Sequence, residues 1–198
     1  MTEPKPFETK LRATLRRRAT PALARWLIGK TLARRFADGT VSRHIITETE
    51  AYHTEADLAC HAAKGRTPRT EVMYRAGGVW YVYLCYGVHE MLNLVTGPEN
   101  FPAAILIRAV GGITGPGRLT KALRVTRALN ATSACDSGAG AQLWLEETPA
   151  ADLRRAGVSK SKIQVTPRVG IDYAGPVWSR KQWRFVLSNP KSQSPNPK

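Results

Sequence analysis

Stretches of β-forming residues separated by turn signals constrain this chain more than any other feature. Residues 31–36 and 41–52 flank Asp38-Gly39, a strong hairpin-turn dipeptide. Residues 79–86 and 88–95 flank Gly87, residues 103–110 add another β stretch, and residues 142–146 and 183–187 read as late strands. Helical signals are fewer. Thr20-Pro21 reads as an N-cap followed by proline at the first helical position, with Leu23, Trp26, Leu27 and Leu32 at helical spacings and Gly29 near the end. Thr54-Glu55-Ala56-Asp57 resembles a capping box that opens a short helix through Cys60 and His61. Gly115-Pro116-Gly117 leads into RLTKALRV, a further helix. No internal repeat and no domain-scale linker interrupts this order, so the expectation is an α+β fold in one mixed domain.

Composition narrows the function classes. The chain has 198 residues, 42% of them hydrophobic and 23% charged, a mix that buries a core and excludes wholesale disorder. Three cysteines without a Cys-x-x-Cys pair argue against a disulfide framework and a zinc ribbon, and point to a reducing compartment. The longest apolar runs, such as residues 103–107, fall far short of the roughly 20 residues that span a bilayer. The N-terminus carries no apolar segment of the signal-peptide kind. These features give the expectation of a soluble protein. Thirty Lys and Arg against fifteen Asp and Glu leave a formal charge of +15, which attracts phosphate polyanions, nucleic acid first. Residues 1–19 are expected as a basic arm, solvated or folded into a short helix with no function of its own, with a phosphate-contacting role as the alternative, and residues 188–198 (SNPKSQSPNPK) as a disordered tail.

The segment Ile45-Ile46-Thr47-Glu48-Thr49-Glu50-Ala51-Tyr52 carries the most chemistry. Alternate side chains of a strand share a face, so Glu48, Glu50 and Tyr52 point the same way. Such a row is either a solvated acidic edge or, beside aromatics, the environment of a general base. The aromatics stand in Trp80-Tyr81-Val82-Tyr83-Leu84-Cys85-Tyr86-Gly87. Parity puts Tyr81 and Tyr83 on one face, while a bend at Gly87 carries Tyr86 to the tip of a projecting hairpin. Packing alone accounts for aromatics in strands. In a basic protein, however, an aromatic at a hairpin tip also suits a wedge between stacked bases, and a ring-lined pocket suits an extruded base. His61 reads as structural or catalytic. Arg66, Arg69, Arg108, Arg118 and Lys121 are candidates for neutralising phosphates, and Gly115-Pro116-Gly117 for offering backbone N–H groups to one. A zinc deaminase would need His-x-Glu followed by Pro-Cys-x-x-Cys. His89-Glu90 is adjacent and the cysteine pair is missing, which excludes that class.

Several motifs then recur in fixed order: TETEAY at 47–52, H-x-x-x-G-x-T-x-R at 61–69, Met73-Tyr74, G-x-x-Y-V-Y-x-x-Y-G at 78–87, Met91-x-Asn93, Ile107-Arg108-Ala109, and GPGRLTKAL at 115–123. In this the chain resembles the alkyladenine (3-methyladenine) DNA glycosylase family, mammalian-type branch, from about residue 21 to residue 187. The resemblance implies a glycosylase domain over residues 20–187, with a curved antiparallel sheet, flanking helices and a protruding hairpin. It implies a monofunctional enzyme that flips damaged purines (alkylated adenine and guanine, hypoxanthine, ethenoadenine) from duplex DNA, hydrolyses the N-glycosidic bond and leaves the strand uncut. By position Glu50 matches the glutamate that activates water, and Arg108 an arginine near that water and a backbone phosphate. Tyr52, His61 and Tyr83 match residues that line the base pocket. Asn93 matches a side chain that disfavours guanine, and Tyr86 the tyrosine that fills the gap left by the flipped nucleotide. No metal, organic cofactor, membrane or stable protein partner is implied, and a cytoplasmic, nucleoid-associated monomer is expected. Three departures stand out: Val88-His89-Glu90 after the hairpin turn, Thr70 where asparagine is common, and a short stretch between Arg108 and Gly115. The alternative reading is a catalytically silent DNA- or RNA-binding module on the same scaffold.

Overall fold

A computed structural model describes residues 6–17, 19–159 and 162–188. The expected tail over residues 188–198 therefore lies, beyond Ser188, outside the described residues, as do residues 1–5 and Arg18 of the expected arm.

Helices α1 (Pro6–Arg17) and α2 (Thr20–Leu27) lead into strands β1 (Thr31–Arg35) and β2 (Val41–His53), joined through Asp38-Gly39. Gly39 takes a φ of 84°, the left-handed conformation that selects glycine in such a turn. Strands β3 (Trp80–Cys85), β4 (His89–Val95), β5 (Ala103–Val110) and β6 (Ile113–Thr114) precede helix α3 (Pro116–Ala122). Then come β7 (Leu143–Glu146), α4 (Ala150–Arg155), β8 (Ile163–Thr166), α5 (Gly175–Ser179) and β9 (Arg184–Leu187). Every named strand pairing is antiparallel, and the main path of the sheet runs β3-β4-β5-β2-β1-β7. Strand β2 is its spine. One edge pairs with β5, while the other pairs first with β1 and then, from Glu48 to Glu50, with β9. The result is the mixed α+β domain that the hairpin signals predict.

The two-residue period of the strands sorts side chains between two compartments. Trp80, Val82, Leu92, Leu94, Ile105 and Ile107 point into the main core, joined by Leu11 and Leu15 of α1, Leu23 and Leu27 of α2, and Leu119 of α3. Their neighbours Tyr81, Tyr83, Met91, Asn93, Ala104 and Leu106 point to the other face, where they line a pocket. Helices α1, α2 and α3 therefore cover one face of the sheet and leave the other for chemistry. No helix among the described residues is long and apolar enough to cross a membrane.

Two local expectations meet different outcomes. Of the two readings for the N-terminal segment, α1 takes the helical one and is docked rather than solvated. Leu11 and Leu15, one helical turn apart, are fully buried, and Arg12 pairs with Asp136 at 2.5 Å. Only its outer face, with Lys10, Arg16 and Arg17, meets solvent. The capping box at Thr54-Glu55-Ala56-Asp57, by contrast, opens no helix. The chain turns there, and a single 3-10 turn begins only at His61. Asp57 is engaged elsewhere. Its carboxylate accepts the His53 and Ala59 N–H groups and forms an ion pair with Arg168, so it is not free to cap.

Candidate active site

Glu50 lies in the middle of β2 with no solvent exposure. Its Oε1 accepts the Val169 backbone N–H at 2.8 Å. Its Oε2 accepts the Tyr52 hydroxyl at 3.0 Å and Arg108 Nη1 at 3.3 Å. A carboxylate offers about four acceptor positions. Three are filled by protein donors, and all three donor residues line one cavity, whereas Glu50 itself is wholly buried behind them. Burial raises the Glu50 pKa above the ordinary carboxylate range, and the neighbouring Glu48 pushes in the same direction. Arg108, the Val169 N–H and the Tyr52 hydroxyl pull against them. The net rise makes Glu50 a stronger base than a solvated glutamate while its donors keep it ionisable.

Arg108 reaches this carboxylate by the ordinary alternation of β5, which puts Ala104, Leu106 and Arg108 on the cavity face and Ile105 and Ile107 in the core. A register shift, with Glu48 facing Ala109 but Thr49 facing Ile107, leaves Arg108 without a cross-strand partner of its own. Its Nε donates to Glu48 Oε1 at 2.8 Å. Arg184 Nε donates to the same oxygen at 2.6 Å, so Glu48 is held by two arginines. Burial works against the Arg108 charge, but Glu50 and Glu48 outweigh it and raise its pKa. Glu48 and Glu50 thus share one face, as parity requires, and avoid mutual repulsion by sharing Arg108.

In front of Arg108 opens a cavity of about 440 Å³, lined by Tyr52, His61, Arg69, Tyr81, Tyr83, Tyr86, Asn93, Leu106, Arg108, Val169 and Tyr173, among others. The His61 ring packs edge-on against Tyr83, centroids 4.5 Å apart, with Nδ1 3.0 Å from the Tyr81 hydroxyl. Burial, with Arg69 and Lys64 nearby, pushes its pKa down to about 4, so the imidazole is neutral at physiological pH. Burial holds the Tyr81 phenol up at about 12, and the Tyr52 and Tyr83 phenols also stay protonated. The walls are therefore electron-rich and uncharged, apart from the arginines. Asn93 is buried between β3 and β4, its amide nitrogen donating to the Tyr81 and Met91 carbonyls at 3.2 Å each.

Tyr86 stands at the tip of the β3–β4 hairpin, 94% exposed. Its φ of 50° and the Gly87 φ of 70° form a tight turn, closed by Val88 N–H donating to the Cys85 carbonyl at 3.1 Å. The turn requires positive φ at both central residues, and a tyrosine in the left-handed region costs about 1–2 kcal/mol that glycine would not.

The candidate phosphate contacts separate. Arg118 and Lys121 are exposed on α3. Arg69 sits at the pocket rim with its guanidinium 5.1 Å from the Tyr83 ring centroid. Arg66 is turned to its own surroundings, with Nε and Nη2 on Glu71 and Nη1 on Asn100. Sequence reading missed Asp57, Arg168, Val169, Tyr173 and Arg184. Of these, Val169 and Arg168 follow β8 in a loop whose only sequence signal is the flanking Pro167 and Gly170.

The geometry is thus a buried carboxylate behind a tyrosine-lined cavity, on a strongly basic domain. The sequence model of the methylpurine-DNA glycosylase family matches residues 14–113 and 112–191. Relatives named as 3-methyladenine DNA glycosylases include one from Psychrobacter cryohalolentis, 38% identical over 208 residues, which cover 89% of this chain and 91% of the relative. One from Methanocella arvoryzae is 42% identical over 192 residues, covering 87% of this chain and 89% of the relative. A third, from Myxococcus xanthus, is 43% identical over 162 residues, covering 77% of each chain. The chain belongs to the methylpurine-DNA glycosylase family, DNA-repair hydrolases that act on the N-glycosyl bond.

Proposed function

We propose that this enzyme flips alkylated adenine and guanine, hypoxanthine and ethenoadenine out of duplex DNA into the tyrosine-lined cavity and hydrolyses the N-glycosidic bond with a water activated by Glu50. The carrying observation is the buried Glu50 carboxylate held by Tyr52, Arg108 and the Val169 N–H, three residues that all line the tyrosine-walled cavity. A water there gives its proton to Glu50 while its oxygen bonds to C1′. The electron pair of the glycosidic bond leaves with the purine, and an abasic site remains in an uncut strand. The oxocarbenium character that develops at C1′ is stabilised by the nearby carboxylates. Faces of Tyr52 and Tyr83 stack the base and favour a cationic alkylpurine. His61, being neutral, adds no opposing charge, and Asn93 crowds the 2-position that carries the guanine amino group. Tyr86 fills the space the nucleotide leaves, while Arg118, Lys121 and a repositioned Arg69 neutralise phosphates. Among the described residues no lysine lines the cavity to form a Schiff base, so no strand cleavage is expected. The protein acts as a monomer in the cytoplasm, on nucleoid DNA.

The test is a panel of duplexes that each carry one lesion, with free base quantified and strand breaks scored before and after alkali. Base release with breaks only after alkali is the expected result. Salt-sensitive binding without release from any lesion would instead assign the chain to a silent nucleic-acid-binding module.

Two further outcomes follow. Because Glu50 acts as a carboxylate, single-turnover release should fall as pH drops through its raised pKa. No second transition near pH 6.5, the ordinary value for histidine, should appear, and His61→Asn should leave the shape of the profile unchanged. Rates of the two enzymes measured across pH 4.5–9 check this, as an order-of-magnitude range around those values. Tyr86→Asn should melt at or above the wild-type temperature, because asparagine tolerates positive φ and relieves up to about 1 kcal/mol. It should also weaken binding to lesion duplex more than to single strands, where there is no gap to fill. Equal losses on both would remove Tyr86 from the wedge role.

A further inference from the structure

Arg168 is the most completely enclosed cation among the described residues, and it sits against the segment that carries Glu50. Its side chain and that of Asp57 have no exposure. Nη1 donates to Asp57 Oδ2 at 2.5 Å and to the Ala51 carbonyl at 2.9 Å. Nη2 donates to Asp57 Oδ1 at 2.9 Å and to the Trp178 carbonyl at 3.3 Å. The guanidinium carbon lies 4.8 Å from the Tyr52 ring centroid and 5.1 Å from that of Trp183. A two-point ion pair of this kind fixes the plane of the guanidinium as well as its position.

Resting on the proposed role of Glu50 as the base, we propose that Arg168, oriented by Asp57, is the positioning residue of that base, holding in place the groups that hold its carboxylate. Three links run from one side chain. The bond to the Ala51 carbonyl fixes the β2 backbone between Glu50 and Tyr52. The stack on Tyr52 fixes the ring whose hydroxyl donates to Oε2. The anchored loop presents the very next N–H, that of Val169, to Oε1. Val169 itself is 48% exposed, so nothing in its own packing directs that N–H inward. Arg168 Nε, buried and without a partner, further indicates an arrangement not optimised for stability alone.

The consequence is readable in a pH profile. The Val169 N–H favours the ionised form of Glu50, so its loss lets burial raise the pKa further and moves the acid limb of single-turnover base release to higher pH. Arg168→Lys keeps a cation but loses the fork and the planar stack. Val169→Pro removes the N–H and keeps both partners of the ion pair, although the ring also fixes φ at 169 and restricts the Arg168 backbone before it. Both are to be measured on the full chain with a lesion duplex, with folding checked by circular dichroism and duplex affinity by titration. An upward shift of about one pH unit, with affinity within about twofold of wild type, is expected for each. If Arg168→Lys does not fold, Val169→Pro alone decides. Profiles that superimpose on wild type, or a loss uniform across pH, would overturn the proposal. Glu50→Gln separates the two readings. If it retains release, the base assignment itself fails. If it abolishes release while both profiles stay fixed, only the positioning role fails.

Discussion

Glu50→Gln is expected to slow release of a damaged purine by about 10²–10⁴-fold, the usual worth of a positioned general base, while lesion-duplex binding is retained. The substitution keeps volume and one carbonyl acceptor. The single amide oxygen can keep the Val169 N–H, with the amide nitrogen donating to the Tyr52 hydroxyl; Arg108 Nη1 then loses its acceptor on residue 50 but Arg108 keeps Glu48 through its Nε. What disappears is the ability to take a proton from water and to offset positive charge at C1′. Stability should hold or rise. Burial raises the Glu50 pKa, so between the unfolded and folded values the native state binds more protons than the unfolded chain, and stability falls as pH climbs through that window. Glutamine carries no such penalty at neutral pH. Single-turnover release, duplex titration and thermal unfolding of the same preparation check all three parts. Undiminished release would remove Glu50 from its role.

Much of the site was legible because it is built on strands. Parity alone puts Glu48, Glu50 and Tyr52 together on one strand face and Tyr81 with Tyr83 together on another, and the sheet joins those faces across β2, β5, β4 and β3. Gly87 marks the turn that projects Tyr86. What pattern could not reach is what distant segments supply. The Val169 N–H comes from 119 residues beyond Glu50, and Arg168 meets Asp57 across 111 residues. Loop residues that act through one backbone N–H or one guanidinium leave no periodic trace. The same long-range pairing defeated the capping-box reading, since local rules assume Asp57 is free to cap. The aim of Arg108 follows from alternation with Ala104 and Leu106, but the register shift beside it, a one-residue offset in a ladder, is invisible when each strand is read alone. Leu11 and Leu15 of α1 were masked by the basic residues around them, although four-residue spacing is the helical signature.

The largest stability effect should come from Asp57→Ala. The change strands the Arg168 guanidinium where no water reaches it, and removing one partner of a buried ion pair costs about 3–5 kcal/mol. It also leaves the His53 and Ala59 N–H groups without their acceptor, which adds to the loss. Against a total of about 5–15 kcal/mol this is a large fraction, and at about 2–4 °C per kcal/mol the melting temperature should drop by roughly 6–20 °C. Replacing both partners with apolar groups, Asp57→Leu with Arg168→Met, should recover much of that loss, because neither charge is then buried alone. Catalysis should not follow. The double variant has no guanidinium to stack on Tyr52 or to grip the Ala51 carbonyl, so its pH profile should stay displaced although its melting temperature rises. Thermal unfolding of both variants separates the ion pair as a fold element from the ion pair as the support of Glu50. A single variant that melts within about 1 kcal/mol of wild type would mean that the buried arginine finds water or another anion.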